Sequence, residues 1–141
     1  MIRLLGVALD HFATEHTKRV AAAGYADIRP GHGCVFGGID PENGSRLTDL
    51  ADRAMMTKQT VGEVVSDLET RGYVERVPDP HDGRAKIIRL TTKGREVYLT
   101  GWRLNEELEK EWAAQFGADH VAALREALEL MHAKRFGAMS T

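Results

Sequence analysis

The chain has 141 residues, which suits one domain with one core. With 43% hydrophobic and 28% charged residues it has the composition of an ordinary globular chain and not of a disordered one, and no window holds the apolar run that a membrane-spanning helix needs. A formal net charge of -2 gives no sign of a nucleic-acid partner, but the charge is uneven: residues 46–95 carry 10 Lys/Arg against 8 Asp/Glu, the remainder 9 against 13.

In chain order, Ile2, Leu5, Leu9 and Phe12 are spaced for one helical face, so residues 2–23 read as an amphipathic helix that Gly24 ends. The same segment carries Asp10, Glu15 and Lys18 and no small-residue cleavage site, so it does not read as a secretion signal. A second, weak helix starts at Pro30, a residue suited to the first helical position, and covers "PGHGCVFGGI", whose four glycines lower its propensity. It holds Cys34, the single cysteine, which rules out an internal disulfide and makes the cytoplasm the expected compartment. "DPENGS" is a turn cluster. Two short helices follow. Leu47, Leu50, Ala51 and Ala54 give the first its inner face; Thr57 caps the second, in which Val61, Val64, Val65 and Leu68 face inward and which Gly72 closes. Strands are expected near 73–77 and 85–91, around a loop "PDPHDGRAK" that Pro78 and Pro80 stiffen and Asp82–Gly83 turn. A long helix runs from about Thr92 to Phe116, with Leu104, Leu108 and Trp112 at i, i+4, i+8. The last, from about 119 to 134, aligns Val121, Leu124, Leu128 and Met131.

The fold class is therefore mainly α with a small β-hairpin. Two helices joined by a tight turn and followed at once by a hairpin make a winged helix-turn-helix. In that motif the second helix lies in the major groove of DNA, and the hairpin, or wing, reaches a phosphate or the minor groove. The outward side of the second helix is Lys58, Gln59, Thr60, Gly62, Glu63, Ser66 and Asp67. Gln59 has the amide to pair with an adenine edge, Thr60 a hydroxyl and methyl for phosphate or thymine, and Gly62 lets a backbone come close. Arg84 projects from the wing with Lys86 close behind, and Asp79 or Asp82 is placed to hold it by a salt bridge. An arginine there can enter a narrow minor groove, where the negative potential is strongest. Glu63 and Asp67 oppose phosphate, and taken alone this helix reads as one more solvated face.

The run "RLTDLADRAMMTKQTVGEVVSDLETRGYVERVPDPHDGRAKIIRLTTKG" resembles the MarR family of bacterial transcription regulators. "LTDLADRA" matches the first motif helix, "TKQTV" and "DLETRGYVERVPDP" the second helix and first wing strand, and "DPHDGRAKIIRLTTKG" the wing pattern D-x-x-D-x-R. The close match covers residues 46–95. The resemblance implies one MarR-like domain over 1–141, with a winged helix-turn-helix lobe at 46–95 and dimerisation helices at 1–23 and 92–141. It further implies a homodimer on a double-stranded DNA operator, Arg84 in the minor groove, and repression relieved by a small-molecule effector or an oxidant. The family's ligand pocket lies between the dimerisation helices and the DNA-binding lobe, where Tyr25, His32, Phe36 and Trp102 fall here; for each of these, simple core packing is the plainer reading. This chain departs from the pattern at Glu63 and Asp67, where relatives often carry basic residues. The expected DNA contacts are Thr57, Lys58, Gln59, Thr60, Ser66, Arg84 and Lys86, with Asp79 and Asp82 supporting the wing.

Cys34 lies among small residues in the second helix and reads as structural rather than redox-sensing. His32 and Cys34 form an H-x-C pair, but no pair of His or Cys has strong ligand spacing, so no metal and no cofactor are expected. No acid–base pair, phosphate-binding glycine loop or nucleophile signature points to an enzyme. The alternative to a DNA-binding regulator is a winged-helix module that binds a protein partner.

Overall fold

The computed structural model of the protein describes residues 1–137. Its elements are α1 (Ile2–Ala22), a 3₁₀ turn (Pro30–His32) leading into α2 (Gly33–Phe36), β1 (Ser45–Arg46), α3 (Leu47–Ala54), α4 (Lys58–Thr70), β2 (Val74–Asp79), β3 (Asp82–Leu90), α5 (Thr92–Phe116) and α6 (Ala118–Phe136). The chain divides into two compact units, Met1–Trp102 and a second from Arg103 onward, with the boundary inside α5. Among the described residues no helix is long and apolar enough to cross a membrane.

In the first unit the apolar faces of α2, α3 and α4 converge with the base of the sheet. Val35, Leu50, Val61, Val65, Leu68 and Tyr73 are fully buried there. Their spacing at three and four along α4 is the helical period that marked them in the sequence. Gly24, at φ +108°, closes α1: its N–H donates to the Ala21 carbonyl, and that of Tyr25 to the Val20 carbonyl. Pro30 does start the second helical segment, but that segment ends at Phe36, short of Gly37 and Gly38.

The sheet has three strands in the order β1-β3-β2, all antiparallel neighbours. The turn cluster at residues 40–45 ends in strand β1, whose Ser45 pairs with Ile88 and Arg46 with Ile87. Two residues are too few to show a period of two, so this strand has no sequence signature. The hairpin turns at Pro80–His81, not at Asp82–Gly83, which belong to β3. Asp79 pairs with Asp82 across this two-residue turn, and its carboxylate accepts the His81 N–H at 2.8 Å, an Asx-type turn. Pro78 lacks an N–H but sits on β2, an edge strand, where that loss is tolerated.

Inside the second unit Leu104 and Leu108 are buried, and Arg125 of α6 donates from Nε to Glu109 of α5 at 2.7 Å. The apolar stripes at the two ends of the chain are open: Ile2 is 89% exposed and Leu9 70%, and Leu124, Leu128 and Met131 are exposed as well.

Candidate nucleic-acid interface

The turn between α3 and α4 is made by Met55, the one non-glycine among the described residues with positive φ (54°). Thr57 then caps α4, its Oγ1 accepting the Thr60 N–H at 3.1 Å. The Thr57 and Thr60 hydroxyls bond each other at 2.8 Å. Because Val61, Val65 and Leu68 take the inner face, Lys58, Gln59 and Thr60 stand exposed in the first turn of α4. That end carries the helix's unpaired N–H groups and the positive end of its dipole.

Three residues on the rest of α4 have neighbours or partners that the sequence did not indicate. Gly62 does not open the outer face: a Cβ there would meet Leu47 of α3 at 3.6 Å, an ordinary packing distance. Ser66 is exposed, but its hydroxyl donates to the Gly62 carbonyl (2.9 Å) and accepts from Arg76 of β2 (3.1 Å). Asp67 is not a free acid aimed at phosphate. It accepts from Arg71 at 2.9 Å and from His32 at 2.7 Å, and those bonds, Arg71's first, hold its carboxyl below the usual range. Glu63 stays exposed.

The wing is irregular where it matters. Lys86 pairs with Pro78, but the next pair is Asp82 with Asp79, so Gly83, Arg84 and Ala85 bulge out of the ladder. Arg84 and Lys86 are exposed. Neither expected aspartate forms an ion pair with Arg84. Asp82 Oδ1 accepts the Arg84 backbone N–H at 3.1 Å, and Asp79 turns inward to Arg46. Asp79 is only 5% exposed, and its two carboxylate oxygens are taken by Arg46 and the His81 N–H. The His81 N–H, and after it Arg46, keep the Asp79 carboxyl below the ordinary range.

The four residues read as a pocket each have a contact of their own, although Trp102 remains 46% exposed. Tyr25 and Phe36 meet the Tyr73 ring edge-on at 6.5 and 6.4 Å between centroids. Trp102 packs edge-on against Tyr98. His32 is buried and held at both ring nitrogens. The Arg29 N–H donates to Nδ1 at 2.9 Å, so Nε2 carries the proton given to Asp67. The network runs on: Arg71 also donates to the Asp27 carbonyl, and the Tyr73 hydroxyl donates to Asp27 Oδ1 at 2.5 Å. Burial first, and then Asp27, push the Tyr73 phenol above its ordinary range; the bond from that phenol is in turn the main cause holding the Asp27 carboxyl low. Cys34 is free and half-buried, with burial pushing its thiol up.

Asp27, Asp67 and Asp79 thus share one sign: each is lowered in the folded chain. Their contribution to stability is complete above the unfolded carboxylate pKa, about 4, and is lost as pH falls through the lower folded values. The thermal midpoint should therefore decline steeply on acidification below about pH 4. Asp67→Asn should flatten that decline; scans of both proteins from neutral pH to pH 2 that overlay after normalisation would contradict it.

Arg46 and Asp27 had no place in the sequence expectation, since their partners lie 33 and 46 residues away. The signal available was only that each is a charged residue beside an apolar run.

A family model described as MarR family matches residues 26–85. Transcriptional regulator HosA of Escherichia coli O111:H- is 26% identical over 85 residues, which are 60% of this chain and 63% of HosA, so the match spans less than two thirds of that relative. HTH-type transcriptional regulator MT0903.1 of Mycobacterium tuberculosis (strain CDC 1551 / Oshkosh) is 30% identical over 98 residues, covering 62% of this chain and 68% of the relative. The transcriptional repressor CouR, solved bound to a 23-mer DNA duplex, superposes with a TM-score of 0.74 at 21% identity over 92% of this chain and 88% of CouR, a likeness of fold.

Proposed function

The chain belongs to the MarR family, and from that premise we propose that it is a DNA-binding transcriptional regulator acting as a homodimer on a pseudo-palindromic operator. The observation that carries this reading is the joint exposure of two elements. The first turn of α4, with Thr57, Lys58, Gln59 and Thr60, and the bulged wing, with Arg84 and Lys86, both face solvent with their charged and polar groups uncommitted to ion pairs. In this reading α4 enters the major groove, Ser66 lies alongside it, and Arg84 enters the minor groove. Asp67 no longer argues against it, because Arg71 pairs with its charge within the fold.

The open stripes of α1 and α6 support a homodimer, since an exposed apolar face of this kind is covered in a symmetric assembly. Repression relieved by a small-molecule effector near Tyr25, His32, Phe36 and Trp102 completes the proposal. The expected selection of bound DNA from a random library is a two-fold symmetric site, its half-sites roughly 10 bp apart centre to centre. Recovery of a single unrepeated half-site would count against the dimeric reading. If nothing is retained at low salt, the partner-binding module, for which exposed Glu63 and the net negative charge remain as arguments, takes its place.

A further inference from the structure

Resting on the DNA-binding reading above, we propose that Arg46 is a positioning residue for DNA binding: through Asp79 it holds the wing tip, and with it Arg84, in place beside the helix-turn-helix. The backbone of Arg46 is fixed at both ends. It pairs with Ile87 in the sheet and is the N-cap residue of α3. Its guanidinium reaches the tip of the hairpin, Nε donating to Asp79 Oδ2 at 2.8 Å and Nη2 to the same oxygen. The other oxygen of that carboxylate, Oδ1, accepts the His81 N–H. One side chain therefore ties together the start of α3, the end of β2 and the turn.

The tie stands where the backbone ladder fails. Beyond Lys86 the three residues Gly83–Ala85 have no pairs, so regular strand hydrogen bonds do not fix the tip against the lobe. A hairpin with a broken ladder and two prolines is free to swing about its base unless a side chain holds it. Asp79 is buried in a tip whose neighbours Pro78, Pro80, His81 and Asp82 are all exposed. A carboxylate is buried stably only when paired and hydrogen-bonded, and Arg46 with the His81 N–H supplies both. Arg84 is two residues past the Asp79–Asp82 pair, so where this pair sits determines where Arg84 emerges.

The test is a double-mutant cycle on the selected operator, read by fluorescence anisotropy, with thermal melts of every variant. Arg46→Ala should weaken wild-type binding by roughly threefold to tenfold, the coupling expected of groups in one network. In the Arg84→Ala background the same substitution should cost nothing further. Arg46→Lys retains the charge but not the two-pronged donor, and should restore affinity in part. Hydrogen exchange at the His81 amide should quicken in Arg46→Ala, a local readout that holds whatever the affinity. Equal losses in both backgrounds would make Arg46 a phosphate contact in its own right and overturn the proposal, as would wild-type affinity in a folded Arg46→Ala protein. A wild-type protein that retains no DNA overturns the DNA-binding reading and this proposal with it, whereas additive losses overturn this proposal alone.

Discussion

Replacing Gly94 by alanine should cost about 3 kcal/mol or more of folding free energy and lower the thermal midpoint by roughly 10 °C. A Cβ on Gly94 would stand 1.8 Å from the Tyr73 carbonyl oxygen and 2.9 Å from its carbon. Neither side can retreat. Tyr73 is fully buried, its N–H donates to Leu68 at 2.9 Å, and its carbonyl accepts from the Thr91 N–H at 3.1 Å. On the other side Thr91 Oγ1 accepts the Gly94 N–H at 3.0 Å and donates to the Gly72 carbonyl at 2.6 Å, and the Lys93 ammonium lies 4.2 Å from the centre of the Tyr73 ring. The first turn of α5 is thus clamped against the junction of α4 and β2, and a methyl group forces them apart. Gly33→Ala, in a helix with nothing within 4 Å, is the control and should leave the midpoint unchanged or slightly higher. Paired thermal melts decide it: a Gly94→Ala protein that unfolds with the wild type would show that this junction yields easily.

Under the DNA-binding reading, Arg84→Ala should weaken operator binding by about 1–3 kcal/mol, roughly fivefold to 150-fold. Its charge contributes to counterion release, so the logarithmic salt slope should flatten by up to about one unit. The loss should be larger on A/T-rich than on G/C-rich flanks, because a narrow minor groove concentrates negative potential. Stability should barely change, since Arg84 is exposed and bulged and forms no ion pair with either neighbouring aspartate. Asp82→Ala should cost less than Arg84→Ala, as it removes only the acceptor for the Arg84 backbone N–H and leaves the guanidinium in place. Affinities of the three proteins on both flanks at two salt concentrations give the answer. Wild-type binding by a folded Arg84→Ala dimer on every flank would leave the wing a structural hairpin and favour a protein partner.

What the sequence determined by itself is what local chemistry dictates. The three-and-four spacing of Val61, Val65 and Leu68 placed the buried face of α4, Thr57 its start, and the run from Thr92 to Phe116 the long helix, because periodicity and capping depend on residues within a turn or two. The order of helices and hairpin, with the wing motif, was enough for the family. Only the tertiary structure decided which charges are available. Asp67 reads as exposed from its own helix, yet its carboxylate accepts a hydrogen bond from His32, 35 residues away, besides pairing with Arg71. Asp79 reads as a partner for Arg84 five residues on, and Arg46 claims it because β1, a strand of two residues, lies beside β3. The bulge that frees Arg84 and the close approach that requires Gly94 are matters of register and packing. Those arise between segments distant in the chain, where no residue's immediate neighbours record them.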